Sequence, residues 1–417
     1  MALKRYRLSQ RRKALGYSQE RFAERLGVDR STVTRWESAE TDPQPWHRTT
    51  IAAALSVSLD QLDEILSDVS VATRRGHLMG DDTERPPSVA TRTELLTPLR
   101  SFLNTHLSVT SSKTMARTPV EVRRSVGRVH GLYQRASYSS AARLVPDVLR
   151  EATELSGKSS ATHRDSAFKL LAAAYIAASK LACKIGDGDA ALLTADRAST
   201  AARLAEDRAL TAVAAYQAAC ALLRLPSRAA EAAQVTNSSI EQLARDRQSI
   251  DPDLLSAQGS LLLLAAIIAA RQGLAREACL RLTEAQRLAE QLGSDRNRLW
   301  TAFGPTNVVI HTLSAAVQRG NPDQALDIAT RVDTSRLPSA LVGRRAQVHL
   351  DLAAATAMTA DGGSLAVLHL LEAERIAPET VYANVQARSL LLDLMGKERR
   401  TVTPGLRPLA ARAGLLA

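Results

Sequence analysis

The side chains best able to do chemistry in this sequence are donors of hydrogen bonds to anions. Arginine outnumbers lysine 46 to 8. Between Lys4 and Arg35 stand ten basic residues and three acidic ones, Glu20, Glu24 and Asp29, so this window carries +7 of the chain's formal +11. Guanidinium groups at that density suit a polyanion. The residue types of catalysis show no matching order. No Gly-rich loop ends in Lys-Ser or Lys-Thr, no His-Glu-x-x-His occurs, and no dinucleotide fingerprint follows a strand pattern. Eight histidines are scattered, and Cys183, Cys220 and Cys279 are too far apart for a zinc knuckle or a disulfide framework. An enzyme, a metal site and a cofactor are therefore not expected.

Short helices must position the basic residues. Leu8 and Leu15 are seven apart on one face of a first helix that stops at Gly16. Ser18 is a fit N-cap for a second helix with Phe22, Ala23 and Leu26 inside. Gly27 ends it, because a tight turn needs a residue that tolerates positive φ. Asp29 can cap a third helix, Arg30 to Glu37, with Val33 and Trp36 inside. A loop with Pro43 and Pro45 follows, then helices from Trp46 to Leu55 and from Ser58, as N-cap, to Leu66. Their inner residues are Ile51, Leu55, Val57, Leu59, Leu62 and Leu66. Five of the fourteen aromatic residues fall in this stretch, enough for a compact domain over 1–68.

The run Tyr17-Ser18-Gln19-Glu20-Arg21-Phe22-Ala23-Glu24-Arg25-Leu26-Gly27-Val28-Asp29-Arg30-Ser31-Thr32-Val33-Thr34-Arg35-Trp36-Glu37 resembles the Xre/Cro-type helix-turn-helix of phage repressors. Residues Ser18, Gln19, Ala23, Gly27, Val33 and Glu37 stand where that family has them. The resemblance implies a five-helix lambda-repressor-like fold and double-stranded DNA as partner. A helix fits the major groove, and its exposed N-terminal side chains reach base edges. Here those are Arg30, Ser31 and Arg35, with Thr34 a further candidate. Arg30 and Arg35 can each donate two bonds to guanine. The resemblance also gives Gln19 a phosphate contact at a helix N-terminus. It gives Arg12 a phosphate contact or a pairing with Glu37, and Thr32 a further phosphate contact. Two residues depart from the family. Arg11 occupies a position that is usually apolar, predicting shallow packing there, and Ala39 replaces a usual Gly.

Val69 to Val89 loses periodicity and contains Pro86-Pro87, which reads as a linker. Residues 69–118 are expected to hold one helix, from about Ala90 to His106, and a second loop from Leu107 to Thr118. From Val120 onward the pattern is helical, in pairs of an apolar helix, a short polar break and an amphipathic helix. The breaks are Arg135-Ala136-Ser137, Gly186-Asp187-Gly188, Leu225-Pro226-Ser227, Arg271-Gln272-Gly273, Arg319 to Pro322 and Asp361-Gly362-Gly363. Ala190, Ala278, Ala325 and Ala366 recur just after breaks, where small residues let paired helices approach. The apolar run Ser260 to Ala270 is too short to cross a bilayer and reads as core.

The pattern resembles a tetratricopeptide-like array over 119–395, with a C-terminal tail at 396–417. Gly320-Asn321-Pro322-Asp323-Gln324-Ala325-Leu326 looks like the turn of such a repeat. The period exceeds the usual one and the Trp/Tyr consensus is absent, which leaves HEAT-like or irregular arrays open. The fold class is all-α, with β structure excluded by the lack of alternating stretches.

The order of helix-turn-helix and array resembles Xre-type regulators of high-GC Gram-positive bacteria, and the peptide-sensing regulators of Gram-positive bacteria. The segments 303–311 and 372–379 look like the first group. Asn307 and His311 lie four apart on one helix face, as do Asn384 and Arg388. Asn can clamp a peptide backbone, and Arg can hold a carboxylate in a fork. Trp300 and Phe303 can add an apolar wall, with Pro305 breaking the helix beside them. The expected protein is a cytoplasmic, homodimeric DNA-binding transcriptional regulator. A small molecule or signalling peptide is its expected effector, and no membrane is involved. The alternatives are a scaffold that recruits a protein partner through the array and an immunity-type repressor with no ligand.

Overall fold

The computed structural model describes residues 3–38, 43, 45–57, 61–62, 65–66, 70–71, 94–105, 117–245, 251–396 and 405–416. The N-terminal unit is built from α1 (Tyr6–Ala14), α2 (Gln19–Leu26), α3 (Arg30–Glu37) and α4 (Pro45–Ala54), with helical turns again at 61–62 and 65–66. Ser18 caps α2 by accepting from the Arg21 N–H at 3.1 Å. Gly27 ends the helix in the left-handed region at φ 66°, so a side chain there would be strained. Asp29 takes the N-cap position of α3 but makes no capping hydrogen bond. The domain has its own core of Leu8, Phe22, Ala23, Leu26, Val33, Trp36, Ile51, Leu55, Leu62 and Leu66. The expected positions Ser58, Leu59 and Ala39 lie outside the described residues.

Among the described residues, the all-helical expectation has one small exception. Leu3–Lys4 and Ser70–Val71 form a two-residue antiparallel ladder, which returns the chain after the fifth helical segment to its own start. Most of the linker stretch and most of the loop expected over 107–118 lie outside the described residues. Helix α5 (Thr97–Asn104) buries Leu99, Phe102 and Leu103 in the main core, so the array's packing begins before residue 119.

Among the described residues, six helix pairs follow. They are α6 (Pro119–Gln134) with α7 (Tyr138–Lys158), α8 (Arg164–Ile185) with α9 (Gly188–Leu204), and α10 (Arg208–Leu222) with α11 (Ala229–Ala244). Then come α12 (Pro252–Arg271) with α13 (Ala275–Leu292), α14 (Pro305–Gln318) with α15 (Pro322–Ala329), and α16 (Val342–Ala357) with α17 (Gly363–Ile376). All six expected breaks fall between the members of these pairs. Thr118 and Glu121 form a capping box that starts α6. Asp187 and Asn321 cap α9 and α15 by accepting backbone N–H groups at 3.0 and 3.1 Å. Ala190, Ala278, Ala325 and Ala366 are buried. Pro305 opens α14 at its first turn, where its missing N–H costs nothing, rather than breaking a helix.

The first helices of the pairs pack on one another in chain order, and the last, α16, also packs on the first, α6. This closes a ring. Three side-chain ties lie at the seam. Gln134 and Asn297 exchange amide hydrogen bonds at 2.7 and 2.8 Å. Tyr138 shares a hydrogen bond with Thr380 at 3.0 Å, and Glu379 accepts from the Ser139 N–H at 2.8 Å. Short helices α18 (Pro378–Ala383), α19 (Val385–Gly396) and α20 (Leu406–Arg412) finish the chain. The stretch expected as a tail thus contains a packed helix, with Leu406 and Leu409 fully buried.

The apolar run at Ser260 sits in a longer helix than its own length suggests. Ala161–Ile185 and Pro252–Arg271 are both long and apolar enough to cross a membrane, yet 78% of the apolar window of each is buried inside the fold. These are the inner helices of the ring. Gly259 on α12 receives Phe303 face-on: a Cβ there would lie 2.0 Å from the ring's Cζ. Gly259→Ala is therefore expected to overpack this contact and cost about 1–3 kcal/mol. Denaturant unfolding of the full chain followed by helical circular dichroism checks this, and an unchanged midpoint would contradict the seating of Phe303.

Candidate nucleic-acid interface and array cavity

Three of the ten basic residues of the N-terminal window do structural work inside the domain. Arg5 Nε donates to the Leu66 carbonyl at 2.6 Å and Nη1 to the Trp36 carbonyl at 3.1 Å. Arg11 donates to the carbonyls of Leu55 and Ser56 at 2.7 and 2.8 Å, closing the end of α4. Arg11 is buried, so the shallow packing expected there does not occur. Its guanidinium replaces an apolar side chain by satisfying carbonyls left over at a helix end, and burial pulls its pKa down to about 10.

Arg12 is the third. Its Nε and Nη2 reach the two Glu37 oxygens at 2.7 and 3.2 Å, and Nη1 donates to the Tyr17 carbonyl at 2.6 Å. Of the two roles the resemblance allows, the structure shows the pairing. Arg12 is 3% exposed and faces no open groove. Gln19, the first residue of α2, donates to Glu37 at 2.7 Å, and its amide oxygen accepts from Thr34 at 3.5 Å. One buried carboxylate therefore fixes α1, α2 and α3 relative to one another.

On the far side of α3, Arg30, Ser31, Thr34 and Arg35 are exposed, while Thr32 is half-buried and accepts from Arg35 at 3.4 Å. Arg30 pairs with Glu20 at 2.8 Å, with both side chains more than half exposed. Such an exposed pair is weak and does not hold Arg30 in place. Lys13, Arg21, Arg25, Arg30 and Arg35 are the exposed cations of this window among the described residues.

The helix-turn-helix family matches residues 8–62. The N-terminal unit is an Xre-family helix-turn-helix domain. No curated protein and no solved structure significantly matches the chain.

This domain rests on the array. Helix α1 packs on α17, and Arg7 pairs with Glu372, which Arg375 also holds at 2.6 Å. Burial alone would raise the Glu372 carboxyl. The hydrogen bond from Arg375 and the charge of Arg7 outweigh it and bring the group below its ordinary value. A cavity of about 320 Å³ lies in this seam, lined by Arg7, Arg11, Val57, His349, His369 and Glu372 among others. The two histidine rings face each other with Nδ1 atoms 3.4 Å apart, and burial pushes both below the usual imidazole range. They therefore sit neutral, one donating to the other.

A second cavity, of about 260 Å³, lies on the inner side of the ring. Helices α6, α8, α10, α12 and α16 and the 300–302 segment all contribute to its wall. That segment and the residue before it carry three non-glycine residues in the left-handed region: Leu299 at φ 47°, Trp300 at φ 54° and Ala302 at φ 58°. Strain of this kind persists only where the surroundings over-determine it. Here Asn297 is locked to Gln134, Asp253 binds Arg298 at 2.5 Å, and Asp295 accepts from Thr306 at 2.6 Å. The Trp300 ring stacks on His130 with centroids 3.8 Å apart, and its carbonyl accepts from Lys180 at 2.9 Å.

The expected ligand residues lie elsewhere. Asn307 is 2% exposed and its side-chain oxygen is buried without a partner. His311 donates from Nδ1 to the Asn307 carbonyl at 2.8 Å, and burial lowers its pKa to about 3. Asn384 caps α19 by accepting from the Ala387 N–H at 3.1 Å, and Arg388 donates to the Ala413 carbonyl. None of the four lines either cavity. Trp300 does line the inner cavity, whereas Phe303 is fully buried against Gly259. Sequence reasoning passed over Lys180, Lys184, Tyr216, Cys220 and Arg224. Lys180 with Lys184 and Tyr216 with Cys220 are rare residue types repeated at i, i+4 on two first helices, whereas Arg224, in the turn after α10, carries no such signal.

Removing Glu37 would strand the buried Arg12 charge. Glu37→Ala is expected to destabilise the N-terminal domain by about 3–5 kcal/mol. Its hydrogen-exchange protection should fall while that of α8 and α12 stays. Equal protection in the variant would show that the pair does not hold the three helices together.

Proposed function

We propose that the chain is a sequence-specific DNA-binding transcriptional regulator, working in the cytoplasm, whose helical array senses a ligand. The observation that carries this reading is the row of exposed Arg30, Ser31, Thr34 and Arg35 on a helix anchored from behind by the Arg12–Glu37–Gln19 network. Rigid support of the reading helix is what base-edge contacts need, since they require donors fixed in position. Phosphates would be met by Lys13, Arg21 and Arg25 around it. We propose a homodimer, because one helix-turn-helix unit reads only one half-site and a near-palindromic operator needs two. The paired helices resemble a tetratricopeptide-like array, and their role in this reading is regulatory rather than catalytic.

The path from array to DNA in this proposal is α16. Its Arg344 and Gln347 face the inner cavity, and its His349 faces the seam under the DNA-binding domain. A ligand that prefers one placement of α16 would shift the docking of α1 on α17. It can do so only by as much as its affinities for the two placements differ.

Capture of genomic fragments by the full chain tests the reading. A discrete set of fragments sharing a two-part motif is expected. Arg30→Ala and Arg35→Ala should each relax preference at one base pair by about 1–3 kcal/mol, and should not alter folding. Uniform capture, or an unchanged motif in both variants, would overturn the reading.

A further inference from the structure

Among the described residues, the wall of the inner cavity carries four basic side chains, Lys180, Lys184, Arg224 and Arg344, and not one carboxylate. Lys180 is 8% exposed, with one hydrogen bond to the Trp300 carbonyl. Lys184 lies over the Tyr138 ring at 5.7 Å. Among the described residues, Lys184, Arg224 and Arg344 have no ion pair. The nearby carboxyls are engaged elsewhere: Asp351 with Ser314 and Gln347, and Glu379 with Ser139. Lys180 and Lys184 thus feel the neighbouring guanidinium groups, and only Arg344 also lies within reach of the buried Asp351 carboxyl. Burial brings Lys180 down to about 7, and burial together with the charges of Arg224 and Arg344 brings Lys184 down to about 8.

The array beyond Pro119 is poor in aromatic residues, with eight in all, and four of them line this one cavity: Tyr133, Tyr138, Tyr216 and Trp300. Two of the chain's eight lysines converge there as well. Like charges held together in a partly buried space destabilise a fold, and the cost is recovered only when an anion enters. Flat aromatic walls add a surface for a ring.

We propose that the inner cavity binds a small organic molecule that carries both an aromatic ring and a doubly charged anionic group, held by Lys180, Lys184 and Arg344 with Arg224 at its exposed side. The assignment rests on the array being the sensing part of a regulator and names the chemistry of what it senses. Two charges are needed to balance more than one of the cations, and the guanidinium of Arg344 offers a fork for a carboxylate or phosphate group.

The test uses the full chain and 1-naphthyl phosphate as probe, with 1-naphthol and inorganic phosphate as partial probes. Thermal unfolding at neutral pH should shift upward by several degrees with millimolar naphthyl phosphate and not with either part alone. Lys184→Gln and Arg344→Gln should each weaken binding about tenfold or more. A readout without ligand accompanies this: both variants should unfold at a higher temperature than the parent in ligand-free buffer, because repulsion is relieved. No shift with naphthyl phosphate, equal shifts in parent and variants, or variants less stable than the parent without ligand would each overturn the proposal. Operator capture that succeeds alongside a failed probe removes the anion and leaves the regulator. A bound probe alongside failed capture does the reverse.

Discussion

The contact of α16 with α6 is the constraint on which the rest of the array depends. Without it the pairs would form an open helical stack. With it the inner faces of first helices distant in sequence are brought around one cavity. The seam is tied on several sides, by the Gln134–Asn297 exchange, by Tyr138 to Thr380 and by Ser139 to Glu379. The chain between α13 and α14, tied to α6 through Asn297 and Gln134, holds three non-glycine residues at positive φ. Because α16 also supplies His349 to the seam beneath the DNA-binding domain, the helix that closes the ring is the one that meets that domain's support.

The N-terminal charge divides into parts with different work. Arg5, Arg11 and Arg12 serve carbonyls and a carboxylate inside the domain, and Arg7 serves the docking on α17. What faces outward is a smaller set, with Arg30 and Arg35 on α3. A count of basic residues in sequence overstates the charge that DNA would meet, because a guanidinium is also the side chain best suited to collecting leftover carbonyls at helix ends.

The first 66 residues were legible because their signals are local. Ser18, Gly27 and the spacing of Phe22, Val33 and Trp36 fix helices and turn without reference to the rest of the chain. The breaks inside the helix pairs of the array were legible for the same reason. The joins from one pair to the next carry no fixed residue signal, and the ring closure depends on contacts between residues hundreds apart. Asn307 and His311 share a helix face as their spacing requires, but that face is packed inside, and spacing alone cannot say which face turns to the cavity. Asn384 and Arg388 serve a helix start and a carbonyl of the last segment, which no local pattern marks as packed. The cations of the cavity come from α8, α16 and the turn after α10, so no single stretch of sequence displays them together.

The central claim is that α3 reads base edges in the major groove through Arg30 and Arg35. Methylation interference on a captured duplex tests it most directly, because methylating guanine N7 blocks the acceptor a guanidinium would use. The account predicts that binding of the full chain is blocked at particular guanines in each half-site. It predicts that one such position ceases to matter in Arg35→Ala. Interference confined to minor-groove adenines, or none at any guanine, would contradict it.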